Sequence, residues 1–255
     1  MNSISIERVE KIRSIVRKFE DKCLEWNRVG LDVVFNSKLL TVNWNDIQSI
    51  VVADNPGIDE KRNNEYLFCD QQTSSEKSGA IARKILPLLS IEIESNTIIL
   101  NKCPIYSNAT DELRNVNQIS LKTTQSYMAR MIVLITDILQ CQVYVFGLGN
   151  CFRNGKLRIA KRNGEYYSNS TLAPFFDVLR RYAPKFQLIS NIHIYKHFSR
   201  YSVFQDLSFY NYDEGRRIIS IEAVTIDKII EKRITSHELF EALDSSGYSA
   251  QLFHL

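Results

Sequence analysis

The sequence predicts a three-layer αβα domain built on a central, mainly parallel four-stranded sheet. Four short runs rich in Ile, Val and Leu, at 48–53, 97–100, 142–146 and 188–195, have the length of buried strands and end in Gly, Pro, Asn or other polar residues. Between them lie stretches with apolar residues at helical spacing, and strands that alternate with helices are joined by crossovers that leave the strands parallel with helices on both faces. With 255 residues, 44% of them hydrophobic, the chain can bury one full core.

Taken in order, residues 4–25 mix Glu7, Arg8, Glu10, Lys11, Arg13, Arg17 and Lys18 with apolar residues three and four apart, which predicts an amphipathic helix. The charges interrupt any run long enough for a signal peptide or membrane span, so a soluble protein of the cytoplasm with no membrane partner is expected. The first strand follows over 48–53, a helix over 78–86 and a second strand over 97–100. A long helical periodicity at 120–139 leads to the strand at 142–146, and a helix at 172–182 leads to the strand at 188–195. No internal repeat, low-complexity tract or linker divides the chain. Residues 1–215 read as one α/β domain and 216–255 as a C-terminal extension, with an apolar run at 218–224 and a helical stretch at 236–243.

The five cysteines, Cys23, Cys69, Cys103, Cys141 and Cys151, form no C-x-x-C pair, so neither zinc nor an iron–sulfur cluster is expected and the thiols are assigned to the interior. Gly147-Leu148-Gly149 lacks the third glycine of a dinucleotide site, and there is no phosphate-binding lysine motif, so no organic cofactor is implied. Charge is unevenly spread. Residues 151–200 carry ten basic side chains against Glu165 and Asp177, while the whole chain is only +3, so the remainder is net acidic. A basic sector on an otherwise acidic surface suits binding to a phosphate backbone.

In an open parallel sheet, ligands bind beyond the carboxyl ends of the strands. Each strand here ends in residues suited to such a site: Ala53-Asp54-Asn55-Pro56-Gly57, Leu100-Asn101-Lys102-Cys103-Pro104, Phe146-Gly147-Leu148-Gly149, and Tyr195-Lys196-His197-Phe198-Ser199. The first resembles the G-x-N-P-G motif of the uracil-DNA glycosylase superfamily in its asparagine-bearing branches. Phe68, thirteen residues after Asn55, matches the superfamily's base-stacking aromatic. Asn101-Lys102-Cys103-Pro104 resembles the N-x-C-P motif of the single-strand-selective monofunctional branch, and His197-Phe198-Ser199 resembles its H-P-S motif. The likeness spans roughly residues 48–205. It departs from the pattern at Ala53 for glycine, at Phe198 for proline, and in the longer connection from Phe68 to Gly79.

The resemblance implies a monofunctional DNA glycosylase that flips out a pyrimidine and hydrolyses its N-glycosidic bond, the first step of base-excision repair, with DNA, single- or double-stranded, as partner. Asn55 would hold the attacking water through its side-chain carbonyl and His197 would hydrogen-bond O2 of the departing base, these two being the catalytic residues. Phe68 and Asn101 would bind the base, and Lys196, Ser199, Arg200 and Tyr201 would contact DNA, with Arg200 and Tyr201 filling the gap left by the extruded nucleotide. Asp54 is a rival to Asn55, because adjacent strand positions face opposite ways and the two converge only if the chain has already turned. A side-chain amide reads uracil in one orientation and cytosine in the other, so Asn101 leaves the base open. The alternatives are a glycosylase for modified cytosines in phage DNA, acting in anti-phage defence, and a DNA-binding paralogue that does not cut. The motifs present no obvious lysine nucleophile, which argues against a lyase step. Oligomeric state is not written in the sequence.

Overall fold

The computed structural model describes residues 4–66, 82–83, 86–89, 91–147, 152–153, 156–157, 161–162, 165–166, 171–195 and 234–235. Its helices are α1 (Ile6–Arg28), α2 (Ile58–Asn63), α3 (Gln118–Leu139) and α4 (Ala173–Tyr182). The strands of the main sheet are β1 (Ser49–Ala53), β2 (Thr97–Asn101), β3 (Gln142–Phe146), β8 (Ile192–Tyr195) and β9 (Ile234–Thr235). Two minimal antiparallel hairpins lie between β3 and α4: β4 (Phe152–Arg153) with β5 (Lys156–Leu157), and β6 (Lys161–Arg162) with β7 (Glu165–Tyr166).

The sheet order is β2-β1-β3-β8-β9. The first four strands are parallel and β9 runs antiparallel at the edge, pairing Thr235 with His193 and Ile234 with Ile194. This is the mainly parallel α/β fold that the alternation of elements predicts, and two residues of the C-terminal extension join its sheet. β1 is central, and all five of its residues are buried, as a strand covered on both faces requires. Because β1 is followed in space by β2 on one side and β3 on the other, the chain reverses its winding between β1 and β3, opening a crevice at their carboxyl ends.

Local chemistry sets the element boundaries. The Ser5 hydroxyl accepts from the Arg8 N–H at the start of α1. Asn117 accepts from the N–H groups of Ile119 and Ser120, at 2.9 and 3.2 Å, so α3 begins two residues before the predicted start; Gln140, at φ +56°, ends it. The strand expected over 188–195 shortens to Ile192–Tyr195, because Gln187 turns at φ +57° and Ile189–Asn191 forms a 3-10 turn tied to β3 by the Asn191 amide donating to Cys141 O at 3.1 Å. The helix expected over 78–86 lies mostly outside the described residues; Ala82 and Arg83 are helical and Leu86–Leu89 is a 3-10 turn. The helical stretch at 236–243 and the run at 218–224 also lie outside them. Among the described residues no helix is long and apolar enough to cross a membrane.

α3 packs along α4 and touches α1, where Tyr127 meets the rings of Phe19 and Trp26 at 5.9 and 5.5 Å. Within this layer Arg130 Nε is buried without a hydrogen-bond partner, whereas the Gln125 amide is paired at both of its ends. Gln125, fully buried, donates to Thr171 O at 2.9 Å and accepts from Phe175 N at 3.1 Å, so a side chain of α3 caps the first turn of α4, whose own N-cap, Leu172, offers no side-chain acceptor. The Gln125→Leu substitution removes both of these buried hydrogen bonds, and is expected to lower the free energy of unfolding by about 1–3 kcal/mol in urea titration.

The described cysteines, Cys23, Cys103 and Cys141, are free thiols buried in the core, as expected; Cys69 and Cys151 lie outside the described residues. Burial pushes Cys103 and Cys141 up to about 12 from an ordinary thiol value of 9.0. Above the ordinary value the unfolded chain releases thiol protons that the folded chain retains, so rising pH favours unfolding. Stability measured in urea is therefore expected to fall from about pH 9 upward, and Cys141→Ala to remove part of that slope; a slope unchanged by the substitution would exclude this source.

Candidate active site

The four motif-bearing strands lie side by side in register, so their carboxyl ends form one edge. Ala53 pairs with Asn101 and Phe146 with Tyr195, while Val52 pairs with Val145. The polar residues that follow β1 and β2 are therefore delivered to the carboxyl-end edge of the sheet, beside the crevice between β1 and β3. Asn55 and Asn101 are described; Phe68, Lys196, His197, Ser199, Arg200 and Tyr201 lie outside the described residues. Tyr66, two positions before Phe68 in sequence, is buried and donates through its hydroxyl to Val34 O at 2.6 Å.

Asn101 closes β2 and is completely buried, yet neither its Nδ2 nor its Oδ1 has a hydrogen-bond partner. A buried amide left unpaired costs on the order of 1–3 kcal/mol for each group, a cost that proteins rarely carry without a functional reason. Asn101 stands in register beside Ala53, its partner at the end of β1, and by strand alternation the two share a face of the sheet. The Asn101 amide thus offers an unused donor and an unused acceptor side by side in a dry setting.

Asn55 lies beyond the end of β1, where the chain bends at Asp54 and Asn55. Its Nδ2 donates to Ser107 Oγ at 3.0 Å and to the Ser107 and Pro56 carbonyls at 3.2 Å, and its Oδ1 accepts from the Thr110 hydroxyl at 2.9 Å. Carbonyl oxygens only accept, so the chemistry of these neighbours fixes which way the amide is turned. Ser107 is itself tied to the loop after β1 by donating its N–H to Pro56 O at 3.2 Å, and Glu60 takes the Gly57 N–H at 2.7 Å at the start of α2. The Asn55 carbonyl keeps one lone-pair direction beyond the Thr110 bond, enough to accept from a water.

Asp54 sits beside this amide instead of opposite it. Its Oδ2 lies 3.5 Å from the same Thr110 hydroxyl. The bend after Ala53 breaks the strand alternation and brings both side chains to Thr110, the one circumstance in which the sequence allows the two to converge. The other carboxylate oxygen, Oδ1, receives the Lys102 ammonium.

Lys102 is the most consequential residue that sequence reasoning passed over. Its side chain is wholly buried; Nζ donates to Asp54 Oδ1 and to Phe146 O, and lies 5.7 Å from the centre of the Phe176 ring of α4. One ammonium thus joins the ends of β1, β2 and β3. Gly147, at φ +98°, makes this possible: a Cβ there would overlap the Asp54 carboxylate and come within 2.6 Å of Lys102 Nζ. The first glycine of Gly147-Leu148-Gly149 serves that packing. The sequence carried a signal in that Asp54 adjoins Asn55 and Lys102 adjoins Asn101, with opposite charges at two strand ends. Ser107 and Thr110, in the polar stretch after Ile105, carried none.

No protein-family model matches this chain, and no curated protein matches it. The site geometry nevertheless makes a direct demand. Gly147→Ala combines left-handed strain with displacement of a buried ion pair, and is expected to destabilise the protein by at least about 3 kcal/mol, read as a fall in thermal midpoint of well over the few degrees that a surface Gly→Ala change produces.

Proposed function

We propose that this protein is a monofunctional DNA glycosylase that extrudes uracil or a related pyrimidine and hydrolyses its C1′–N1 bond, leaving an abasic site. The observation that carries the reading is the buried, unpartnered Asn101 amide at the end of β2. A flipped pyrimidine supplies the donor–acceptor pair that this amide lacks: N3–H and O4 for uracil, N3 and the exocyclic amine for cytosine. Asn55, one strand away, holds its carbonyl in a fixed direction through Ser107 and Thr110 and accepts a hydrogen bond from the attacking water.

The chemistry then follows from charge development. As the glycosidic electron pair leaves with N1, the sugar gains oxocarbenium character and the base becomes an anion. An amide cannot take up a proton at neutral pH, so Asn55 orients water while the cationic sugar makes that water reactive. In this reading His197, carried two residues beyond β8, donates to O2 of the anion, and Phe68 stacks on the ring. Lys102 lies inside the asparagine motif, but its ammonium is buried against Asp54 and Phe146 O, which supports hydrolysis over a lyase step through that residue. The basic segment 151–200 suits the phosphate backbone.

A second reading, a protein that recognises an extruded base without cutting, draws support from one observation: the Asn55 amide nitrogen is fully engaged with the loop at 107, as a purely structural asparagine would be. Base release separates the two. With labelled oligonucleotides carrying uracil, single-stranded or opposite guanine or adenine, the enzyme is expected to generate alkali-labile sites. Asn55→Ala and His197→Ala are expected to lose turnover while still binding DNA, and Asn101→Leu to lose base recognition. Tight binding with no base release from uracil substrates would exclude uracil and turn the assay to modified cytosines such as those of phage DNA; no release from those either would establish the non-cutting reading.

A further inference from the structure

We propose that Lys102 is a positioning residue that acts through Asp54 and Thr110 to hold Asn55 in its working orientation. The proposal rests on the glycosylase reading for what Asn55 does, and on the geometry alone for how it is held. The relevant groups form one chain: Lys102 Nζ donates to Asp54 Oδ1, Asp54 Oδ2 lies 3.5 Å from Thr110 Oγ1, and Thr110 Oγ1 donates to Asn55 Oδ1 at 2.9 Å.

Thr110 has a single hydroxyl proton and two acceptors within reach. A carboxylate is the stronger acceptor, since hydrogen bonds to an ionised partner are roughly twice as strong as those between neutral groups. Left to compete freely, Asp54 would draw that proton away from the Asn55 amide. The Lys102 ammonium, wholly buried and aimed at the opposite oxygen, satisfies the carboxylate's charge and holds it at the longer distance, and the proton stays with Asn55. Gly147 leaves the space for this arrangement and Phe146 O fixes the ammonium from the β3 side. A buried lysine at the end of the neighbouring strand thereby decides whether the water-holding carbonyl is anchored.

The test is a double-mutant cycle between Lys102 and Thr110, which share the Asp54 carboxylate as a partner. Single-turnover base release is measured for wild type, Lys102→Met, Thr110→Val and the double variant, each well below its melting temperature. Both single variants are expected to slow release by about tenfold, the scale of one lost hydrogen bond, and the double variant to be no slower than either. Additive losses, or full rate in Lys102→Met, overturn the proposal. If Lys102→Met does not fold, Lys102→Met combined with Asp54→Asn buries no uncompensated charge. Its rate is expected within about threefold of wild type, because a neutral amide at 54 is no stronger an acceptor than the Asn55 amide and does not outcompete it for the Thr110 proton; a rate as low as that of Thr110→Val overturns it. Should wild type release no base from any substrate, the glycosylase reading fails by itself. The positioning proposal is then decided by the 13C shift of the Asn55 side-chain carbonyl. It is expected to take the same value in Lys102→Met as in Thr110→Val, and retention of the wild-type shift in Lys102→Met overturns it.

Discussion

One ammonium group, that of Lys102, is shared by the ends of three parallel strands. It meets the carboxylate following β1 and the terminal carbonyl of β3, and its own backbone continues β2 by donating to Ala53 O at 2.8 Å. Desolvating such a charge costs several kcal/mol, and its interaction with Asp54 offsets that only while the geometry holds. The surrounding structure is accordingly built to keep it. Gly147 gives up a side chain, Phe176 of α4 presents its ring, and α4 is fixed against α3 by the Gln125 cap. A largely buried ion pair thus lies at the ends of β1, β2 and β3, and the two candidate asparagines adjoin it in sequence, Asn55 next to Asp54 and Asn101 next to Lys102.

The fold was legible in the sequence because its signals are local and redundant. Apolar runs of strand length alternate with helical periodicity, and a buried parallel strand such as 49–53 reads as an uninterrupted hydrophobic stretch. Boundaries were less legible where capping decides them: nothing in the apolar pattern of 120–139 announces that Asn117 starts the helix, and the Ile and Leu residues near 188–195 mask the turn made by Ser190 and Asn191. The candidate site was legible only as residue types at strand ends. Asn55 and Asn101 could be singled out, because polar residues after buried strands are exceptional. Lys102 could not, because a lysine among polar residues at a strand end reads as a solvated side chain, and only the three-dimensional proximity of Asp54, Phe146 and Gly147 reveals an enclosed charge.

Asn55 and Asn101 represent opposite solutions for the same side chain. The Asn55 amide is held on both sides by the loop at 107–110, so its orientation is settled before any ligand arrives. Preorganisation of that kind is what a water-orienting group needs, since an acceptor that must first turn loses the advantage of being in place. Asn101 is left with both of its polar atoms unpaired in a fully buried position, and the stability forgone there becomes available to whatever supplies the missing partners.

That contrast also bears on selectivity. An amide that no protein group holds is free to present either its donor or its acceptor edge first, so under the proposed function Asn101 by itself does not choose between uracil and cytosine. On that reading discrimination comes from other groups around the base, and the sequence departs from the motifs it resembles in the connection from Phe68 to Gly79 and at Phe198 after the histidine. A ring in place of proline and a longer connection are changes of sequence that leave Asn101 itself unaltered. Under the proposed function the constraint on the target is therefore divided: Asn101 at the end of β2 reads a pyrimidine edge, and the choice of substituents is left to residues other than that amide.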